Sequence, residues 1–203
     1  MSKVVQIYSF ADVDRSGKVR WTACELGYDV EESRLEVGQH RGPDYLSLNP
    51  YAQIPTAVME GEPWIESSAI CISLAERHPE SGLIPADEAQ RVKFWQLLHL
   101  ASSTLEMPVV FYFLALRGFA NESWPELVGE GLKDRLETFA GQLPESGYLC
   151  GEFTLADICA AYVLRIGIQA ELLAYEGTLA GYLDRLRERP AASQSRIFDS
   201  LEG

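Results

Sequence analysis

Two pairs of residues in the first half of the chain carry side chains suited to holding a charged ligand. His40 and Arg41 form a basic pair in a sequence with 17 Lys and Arg against 30 Asp and Glu. An exposed Arg can hold a carboxylate through two parallel hydrogen bonds. Glu66 and Ser67 are predicted at the start of a helix, where free N–H groups and the helix dipole favour an anion. The alternatives are a solvated loop for the first pair and an ordinary helix cap for the second.

The segment 49–56, Asn-Pro-Tyr-Ala-Gln-Ile-Pro-Thr, lies between these two pairs. A cis proline turns the chain sharply, and it lets a loop present its backbone groups beside a strand. Pro55 after Ile54 is the candidate for such a bond. A trans bond is the alternative, since only about 5–6% of X-Pro bonds in folded proteins are cis.

The elements that must position these residues follow from local patterns. Short β-branched runs predict strands, and apolar residues at helical spacing predict helices. The sequence Glu60-Gly61-Glu62 is a hairpin signal between two strands. The segment 38–50, with Gly, Pro and Asn, predicts an irregular loop with one helical turn. Strands are predicted at 3–8, 28–35, 56–59 and 63–65, and helices at 15–27 and 67–78, in the order β-α-β then β-β-α.

The second half of the chain shows only helical periodicity. Pro79 to Pro85 is the best linker candidate because it is rich in turn residues. Helices are predicted at 87–117, 122–143, 155–174 and 178–188, and Pro108 should kink or interrupt the first. We therefore expect an α/β domain at 1–78, a linker at 79–86 and an all-helical domain at 87–203.

A capping signal marks the start of the third of these helices. Thr154 and Asp157 have the spacing of a capping box, in which each side chain satisfies a free backbone N–H of the first turn. Phe153 and Ile158 fit the hydrophobic staple that often accompanies it. Such boxes are common at helix starts, so this one predicts structure and says nothing of function by itself.

Composition excludes several classes of function. The net charge is −13, and nucleic acid or an anionic membrane surface requires clustered Lys and Arg. The first residues lack the apolar region of a secretory signal, and no run approaches the roughly 20 apolar residues that span a bilayer. The four cysteines have no C-x-x-C or zinc spacing, which predicts reduced core thiols, no metal site and a cytoplasmic location. They are Cys24, Cys71, Cys150 and Cys159.

Taken in order, four segments closely resemble cytosolic glutathione transferases over nearly the whole chain. They are 49–56, 66–70 (Glu-Ser-Ser-Ala-Ile), 153–158 (Phe-Thr-Leu-Ala-Asp-Ile) and 182–190. The loop 12–16 resembles a variant loop of some bacterial members. The resemblance implies a thioredoxin-like N-terminal domain, a C-terminal helical bundle and a homodimer. It also implies that the thiolate of glutathione, a co-substrate, attacks an apolar electrophile without any cofactor.

The resemblance further implies a role for each residue of the glutathione site. The backbone of Ile54, held by a cis bond to Pro55, pairs with the cysteinyl part of glutathione. Glu66 and Ser67 hold the γ-glutamyl end, with Ser67 at its carboxylate and Glu66 at its ammonium. The donors that hold the glycine carboxylate are expected to be His40, Arg41 and Gln53.

The sequence departs from the family at the group that stabilises the thiolate. Val13 stands where a gapless alignment places the family serine, and a valine side chain cannot donate a hydrogen bond. Ser16, helped by Arg15 or a backbone N–H, is the preferred replacement. Tyr8 and Ser9 are other nearby donors, although Tyr8 suits core packing and Ser16 also suits a helix cap. Without a donor, the protein would bind glutathione and activate it poorly.

An apolar run at 107–116 is the candidate pocket for the second substrate, with Tyr112 and Trp124 as the preferred lining residues. Ordinary helix core is the alternative for most of this run. The principal function predicted is glutathione transfer, and the competitor is a binding or regulatory protein on the same scaffold. Glutathione-dependent peroxidase or dehalogenase activity is a third hypothesis. The absence of a cysteine in the loop 12–16 disfavours glutaredoxin-like chemistry.

Overall fold

The structure, a computed structural model, describes residues 3–12 and 14–201 and divides into two compact units. The first unit contains the residues up to Ser81 and those from Arg189 onward. The second unit runs from Gly82 to Glu188. The sequence-based expectation of one helical domain over 87–203 therefore differs from this division, because the last segment of the chain belongs to the first unit.

Four strands form the mixed sheet of the first unit: β1 (Val4–Ser9), β2 (Asp29–Arg34), β3 (Thr56–Met59) and β4 (Glu62–Ile65). Their order across the sheet is β2-β1-β3-β4, with β1 parallel to β2 and β3 antiparallel to both of its neighbours. Alternate residues of β1 are buried, as the strand pattern predicts. Glu60 and Gly61 both have positive φ, which is the geometry of a tight hairpin turn.

Nine α-helices occur in the described residues, four of them in the first unit. They are α1 (Ser16–Glu25), α2 (Pro43–Leu46), α3 (Ser67–Glu76), α4 (Glu88–His99), α5 (Glu106–Leu116), α6 (Trp124–Ala140), α7 (Leu155–Gln169), α8 (Gly177–Arg187) and α9 (Pro190–Ser195). Short 3₁₀ turns lie at Gln39–Arg41, Pro79–Ser81 and Asp199–Leu201. The predicted fold class, a β-α-β and β-β-α domain followed by helices, is confirmed.

The C-terminal tail, residues 189–201, packs on α1 within the first unit. The ring of Phe198 lies 5.6 Å from the ring of Trp21. Ile197 lies so close to Gly17 that a Cβ at that glycine would come within 3.1 Å of the isoleucine side chain. Apolar burial of this kind stabilises the docked tail.

The long helix predicted at 87–117 is interrupted earlier than Pro108. A π-helical segment, Leu100–Leu105, joins α4 to α5. Pro108 lies in the first turn of α5, directly after the π-helical segment. The widened turn before it absorbs the change in helix geometry.

The helical run Glu88–Leu116, 29 residues long, is apolar enough to cross a membrane by length and composition alone. This finding differs from the expectation that no segment approaches that length. About a third of its most apolar window, 33%, is buried inside the protein. Core helices of globular proteins pass the same test, so a single such helix is weak support for a membrane span.

The capping box at the start of α7 is present and is part of a larger network. The fully buried Asp157 carboxylate accepts hydrogen bonds from the Thr154 N–H at 2.8 Å and from the Thr154 hydroxyl at 3.0 Å. It also accepts from the Leu149 N–H at 2.9 Å and the Tyr182 hydroxyl at 2.8 Å. Burial raises the pKa of the Asp157 carboxyl, although these four donors oppose the effect. One carboxylate thus connects the loop before α7 to α8.

Candidate functional site

The sheet brings the predicted site residues to one edge. Because β1, β2 and β4 run in one direction and β3 in the other, three carboxyl ends and the start of β3 share this edge. The register pairs Thr56 with both Tyr8 and Ile65, so Pro55 precedes a residue that lies beside the end of β4. The loops 10–15, 35–42 and 53–55 and the start of α3 therefore lie at the same end of the sheet.

The loop before β3 is held by side chains that the sequence reasoning did not single out. Asn49, which is 1% exposed, donates to the Gln53 carbonyl at 2.9 Å and to the Thr56 hydroxyl at 3.1 Å. The Tyr45 hydroxyl donates to the same Gln53 carbonyl at 2.6 Å. The Asn-Pro pair that opens the 49–56 segment is the signal that could have identified Asn49.

The peptide bond between Ile54 and Pro55 is cis, which confirms the expectation for this pair. Both residues are buried, whereas the Gln53 side chain is exposed. No hydrogen bond joins the backbone of Ile54 to any other described residue. The backbone N–H and C=O of Ile54 are therefore unpaired next to the end of the sheet. Unpaired backbone groups of this kind can form hydrogen bonds with a bound ligand.

Glu66 adopts a backbone conformation that is rare for a residue with a side chain. Its φ is 67° and its ψ is 106°, and it immediately precedes α3. Residues held in such conformations cluster at functional sites. No side chain caps α3, so the first-turn N–H groups of Ser67 and its successors remain available to an anion.

The basic pair lies in the 3₁₀ turn after β2. Arg41 is exposed, and its guanidinium group has no hydrogen-bond or ion-pair partner among the described residues. His40 is half-buried, and its ring packs edge-on against the ring of Phe10 at 4.9 Å. Nδ1 of His40 accepts from the Gly38 N–H at 3.3 Å. The histidine therefore lies beside the loop after β1, with the free arginine next to it.

The loop between β1 and α1 is organised by Asp14, which the sequence reasoning also missed. Its carboxylate accepts from the backbone N–H of Phe10 at 2.7 Å, of Ala11 at 3.0 Å and of Ser16 at 2.7 Å. An Asp two residues before a helix start is the signal for such local bonding. Val13, the position aligned with the family serine, lies outside the described residues.

Two serines near this loop, Ser9 and Ser16, could donate a hydrogen bond to a ligand thiol, but both side chains face the interior. Ser16 is fully buried, and its hydroxyl oxygen accepts from the Arg20 guanidinium at 2.6 Å. It is not the N-cap of α1, since that position belongs to Arg15. Ser9 is also fully buried, and its hydroxyl has no partner among the described residues. A direct bond from Ser16 to a ligand thiol would require the loop to uncover the hydroxyl, so this role stays a prediction.

The last alternative donor, Tyr8, faces a cavity on the other side of the sheet from Ser9. Its ring lies 5.7 Å from the ring of Tyr45. The cavity has a volume of about 400 Å³ and is lined by Tyr8, Leu35, Gln39, Gly42, Asp44, Tyr45 and Leu48. The Tyr45 hydroxyl donates to the Gln53 carbonyl, so one residue of the cavity wall also holds the loop before β3.

Of the two residues predicted to line the second-substrate pocket, Tyr112 lies on α5 and Trp124 begins α6, both in the second unit. The Trp124 indole N–H donates to the Pro108 carbonyl at 3.4 Å, and its ring lies 5.8 Å from that of Phe111. The Tyr112 ring packs on Gly129, where an added Cβ would come within 3.0 Å of it. Both side chains are half-buried.

Among the described residues, no group of three or more His, Cys, Asp and Glu side chains could hold a metal ion. All four cysteines are free, and three of them are buried. The sheet edge presents hydrogen-bond donors, the Arg41 guanidinium group and the unpaired backbone of Ile54.

Comparison with known proteins finds similarity to glutathione S-transferases. The profile of the glutathione S-transferase N-terminal domain matches residues 8–82, the span that contains the whole sheet edge. Glutathione S-transferase 3 of Zea mays is 34% identical over 142 residues, covering 65% of this chain and 63% of that protein. The alignment spans less than two thirds of the maize protein.

Two further similarities extend beyond the first unit of this chain. Glutathione S-transferase F10 of Arabidopsis thaliana is 26% identical over 185 residues, covering 84% of this chain and 86% of that protein. The structure of Ure2p in complex with glutathione has a TM-score of 0.81 at 18% identity, covering 94% of this chain and 93% of that one. The structural similarity to Ure2p shows that this chain has the same fold.

Proposed function

We propose that this protein is a glutathione S-transferase that binds glutathione and adds its thiolate to an apolar electrophile. The observation that supports it most is the row of unsatisfied groups at one sheet edge. These groups are the unpaired backbone of Ile54, the uncapped start of α3 and the unpaired guanidinium of Arg41, all of which lie at this edge. Unpaired groups of this kind suit an extended peptide with a carboxylate at each end.

In the proposed complex, the cysteinyl part of glutathione pairs with the backbone of Ile54 before Pro55. The γ-glutamyl carboxylate accepts from the N–H groups at the start of α3 and from the Ser67 hydroxyl. Glu66, which is exposed, lies next to the γ-glutamyl ammonium. The glycine carboxylate is bound at the other end by His40, Arg41 and Gln53. Glutathione is the co-substrate, and no cofactor takes part.

The thiolate is proposed to be stabilised by Ser16 with help from Arg15, in a variant of the serine-type loop of bacterial members. A free thiol has a pKa near 8.5, so a donor is needed for full ionisation at neutral pH. Glutathione held in place then attacks an electrophilic carbon, and the enzyme contributes proximity and thiolate stabilisation. Tyr112 and Trp124 are the residues proposed to line the electrophile pocket.

A catalytically weak glutathione-binding or regulatory protein is the second candidate function. The buried state of Ser9 and Ser16 favours it, because neither hydroxyl is exposed to a ligand sulfur. In either role we propose a cytoplasmic homodimer without nucleic acid or membrane partners, which agrees with the net charge of −13.

Retention on immobilised glutathione, followed by turnover of a generic aryl halide, tests the function. Wild type should be retained and should turn over the halide, and Ser16→Ala should be retained with slower turnover. Retention without turnover by wild type would select the binding role. An unchanged rate and thiol pKa in Ser16→Ala would remove Ser16 from the mechanism.

A further inference from the structure

The cavity beside Tyr8 in the first unit has a described wall that contains none of the residues proposed to bind glutathione. Its volume is about 400 Å³, and it lies among the end of β1, the segment after β2, and α2. Pockets that bind small molecules have volumes of roughly 300–1,000 Å³, so this cavity is large enough for a small ligand. The described wall consists of two tyrosines, two leucines, a glycine, a glutamine and an aspartate, and none of these side chains is positively charged.

Two tyrosine rings form one corner of this cavity. The ring centroids of Tyr8 and Tyr45 lie 5.7 Å apart, and the ring planes meet at 62°. The Tyr45 ring is held in place, because it is buried and its hydroxyl hydrogen-bonds the Gln53 carbonyl at 2.6 Å and the Thr56 hydroxyl at 2.7 Å. Tyr8 is half-buried at the end of β1, which pairs with a strand on each side. Aromatic faces arranged in this way attract organic cations.

The acidic residue of the wall, Asp44, is available to pair with a cation. Its carboxylate has no hydrogen-bond or ion-pair partner among the described residues. Arg41 is the basic residue nearest to it in the sequence, and it does not neutralise Asp44, since the Arg41 guanidinium is itself unpaired in the described part of the chain. The net charge of −13 adds a field that attracts cations and repels anions. The charge of this cavity therefore favours a cationic ligand.

The rings and leucines of the wall favour a cation that gives up little hydration when it binds. A primary ammonium has three N–H donors, and each needs an acceptor once its water is removed. A quaternary ammonium has no N–H donor, so ring faces and one carboxylate suffice for it. The Gln39 amide oxygen already accepts from the Glu36 N–H at 2.7 Å. The two leucines suit an apolar substituent on the nitrogen.

We propose that this cavity binds a small quaternary ammonium compound that carries an apolar group. The rings of Tyr8 and Tyr45 bind the cationic head, the Asp44 carboxylate balances its charge, and the two leucines contact the apolar group. This ligand is neither glutathione nor an electrophile. The site is therefore additional to the proposed function and does not depend on it.

Calorimetric titration of the full-length protein with four benzyl compounds tests the class of ligand. The compounds are benzyltrimethylammonium, benzylammonium, benzyl alcohol and phenylacetate. Benzyltrimethylammonium should bind with a Kd below about 1 mM, at least about fivefold more tightly than benzylammonium and benzyl alcohol. Phenylacetate should give no binding heat. Equal affinity for benzyltrimethylammonium and benzyl alcohol would overturn the proposal, as would no binding of benzyltrimethylammonium at about 10 mM.

Substitutions in the wall show whether benzyltrimethylammonium binds in this cavity. Tyr8→Leu removes one ring and should weaken binding at least about fivefold, whereas Tyr8→Phe keeps the ring and should weaken it less than about twofold. Asp44→Asn should weaken binding about two- to fivefold, the range of an exposed ion pair. Asp29→Asn is the matched control, because it removes the same charge from an exposed residue at the opposite end of β2. It should leave the affinity unchanged.

The pair of aspartate variants decides the outcome even if Tyr8→Leu fails to fold. Thermal unfolding of each variant identifies any loss of structure, and Asp44 is exposed, so Asp44→Asn should unfold at the same temperature as wild type. Equal affinity of Asp44→Asn and Asp29→Asn for benzyltrimethylammonium would overturn the assignment to this cavity. None of these measurements uses glutathione, so the proposed function and this site stand or fall separately.

Discussion

At the scale of single residues, the side chains that shape the site are mostly not those that would touch the ligand. Asn49, Tyr45 and Asp14 hydrogen-bond loop backbone, and through it they fix where Ile54 and the start of α1 lie. Removing one partner of such a bond lowers the stability of the protein more when the bond is buried, because the remaining polar group is left without water or a partner.

Substituting Asn49 should loosen the loop before β3. In Asn49→Ala, the Gln53 carbonyl and the buried Thr56 hydroxyl each lose a donor, so the free energy of unfolding should fall by about 1–3 kcal/mol. Glutathione affinity should fall with it, because Ile54 follows this loop. Urea unfolding and calorimetry measure the two effects. Ser47→Ala, which removes an exposed hydroxyl bonded to the Asp44 carbonyl in the same turn, should change both little. Equal effects of the two substitutions would contradict the role of Asn49.

Substituting Ser9 should leave the stability of the protein unchanged or raise it. Its buried hydroxyl has no partner among the described residues, so Ser9→Ala removes a desolvated polar group without breaking a bond. Stability should stay the same or rise by up to about 1 kcal/mol, and turnover should not change. Unfolding in urea and an aryl halide assay check this. A drop in turnover would show instead that Ser9 serves the thiol.

At the scale of elements, the sequence predicted most of the features that depend only on residues close together in the chain. The alternation in β1, the hairpin at Glu60-Gly61 and the capping box at Thr154 each depend on neighbouring residues, and each is present. The π segment and α9 were missed for physical reasons. A π turn leaves the apolar periodicity almost unbroken, and α9 is a short helix whose stability comes from packing on α1 rather than from its own residues.

In the candidate site too, features that depend on neighbouring residues were predicted and those that depend on distant residues were not. Local motifs predicted the cis Ile54–Pro55 bond, but nothing in them indicated that Arg20 would occupy the Ser16 hydroxyl. Contacts such as that between Arg20 and the Ser195 carbonyl join residues far apart in the chain. Long-range contacts of this kind have no local signature, so the buried state of Ser16 could not be read from its neighbours.

The network around Asp157 is the element-scale feature whose loss should cost most. Asp157→Ala leaves four buried donors without an acceptor, so unfolding free energy should fall by at least about 2 kcal/mol. Asp87→Ala is the matched control, because the exposed Asp87 caps α4 through a single bond from the Gln90 N–H at 2.9 Å. It should cost about 1 kcal/mol or less. Denaturant unfolding distinguishes them, and equal losses would contradict the importance of the network.

At the scale of the whole molecule, the proposed function requires an acidic chain to bind an acidic peptide. The net charge of −13 repels glutathione in general, so affinity depends on donors gathered at one place. The sheet edge supplies them from loops that are distant in sequence. The return of the C-terminal tail to the first unit then links the last residues of the chain to the loop that is proposed to face the thiol.

Lowering the pH should break the ion pair between Asp12 and Arg196. The pKa of Asp12 is lowered in the folded state, so its stabilising contribution is present above the ordinary value of about 3.9 and is lost as the pH falls below it. Asp12→Asn should therefore be less stable than wild type at pH 6 and should approach it near pH 3. Urea unfolding across this range measures the difference. A constant difference at all pH values would contradict the ion pair as its cause.

Calorimetric titration with glutathione tests the central claim, that the unpaired groups at one sheet edge bind this tripeptide. Wild type should release or absorb heat with a one-to-one stoichiometry per chain, and millimolar glutathione should raise its unfolding temperature. Arg41→Ala and Ser67→Ala should each weaken binding, by about 1.5–3 kcal/mol where a charged hydrogen bond is lost. No heat and no thermal stabilisation of wild type at millimolar glutathione would contradict the claim.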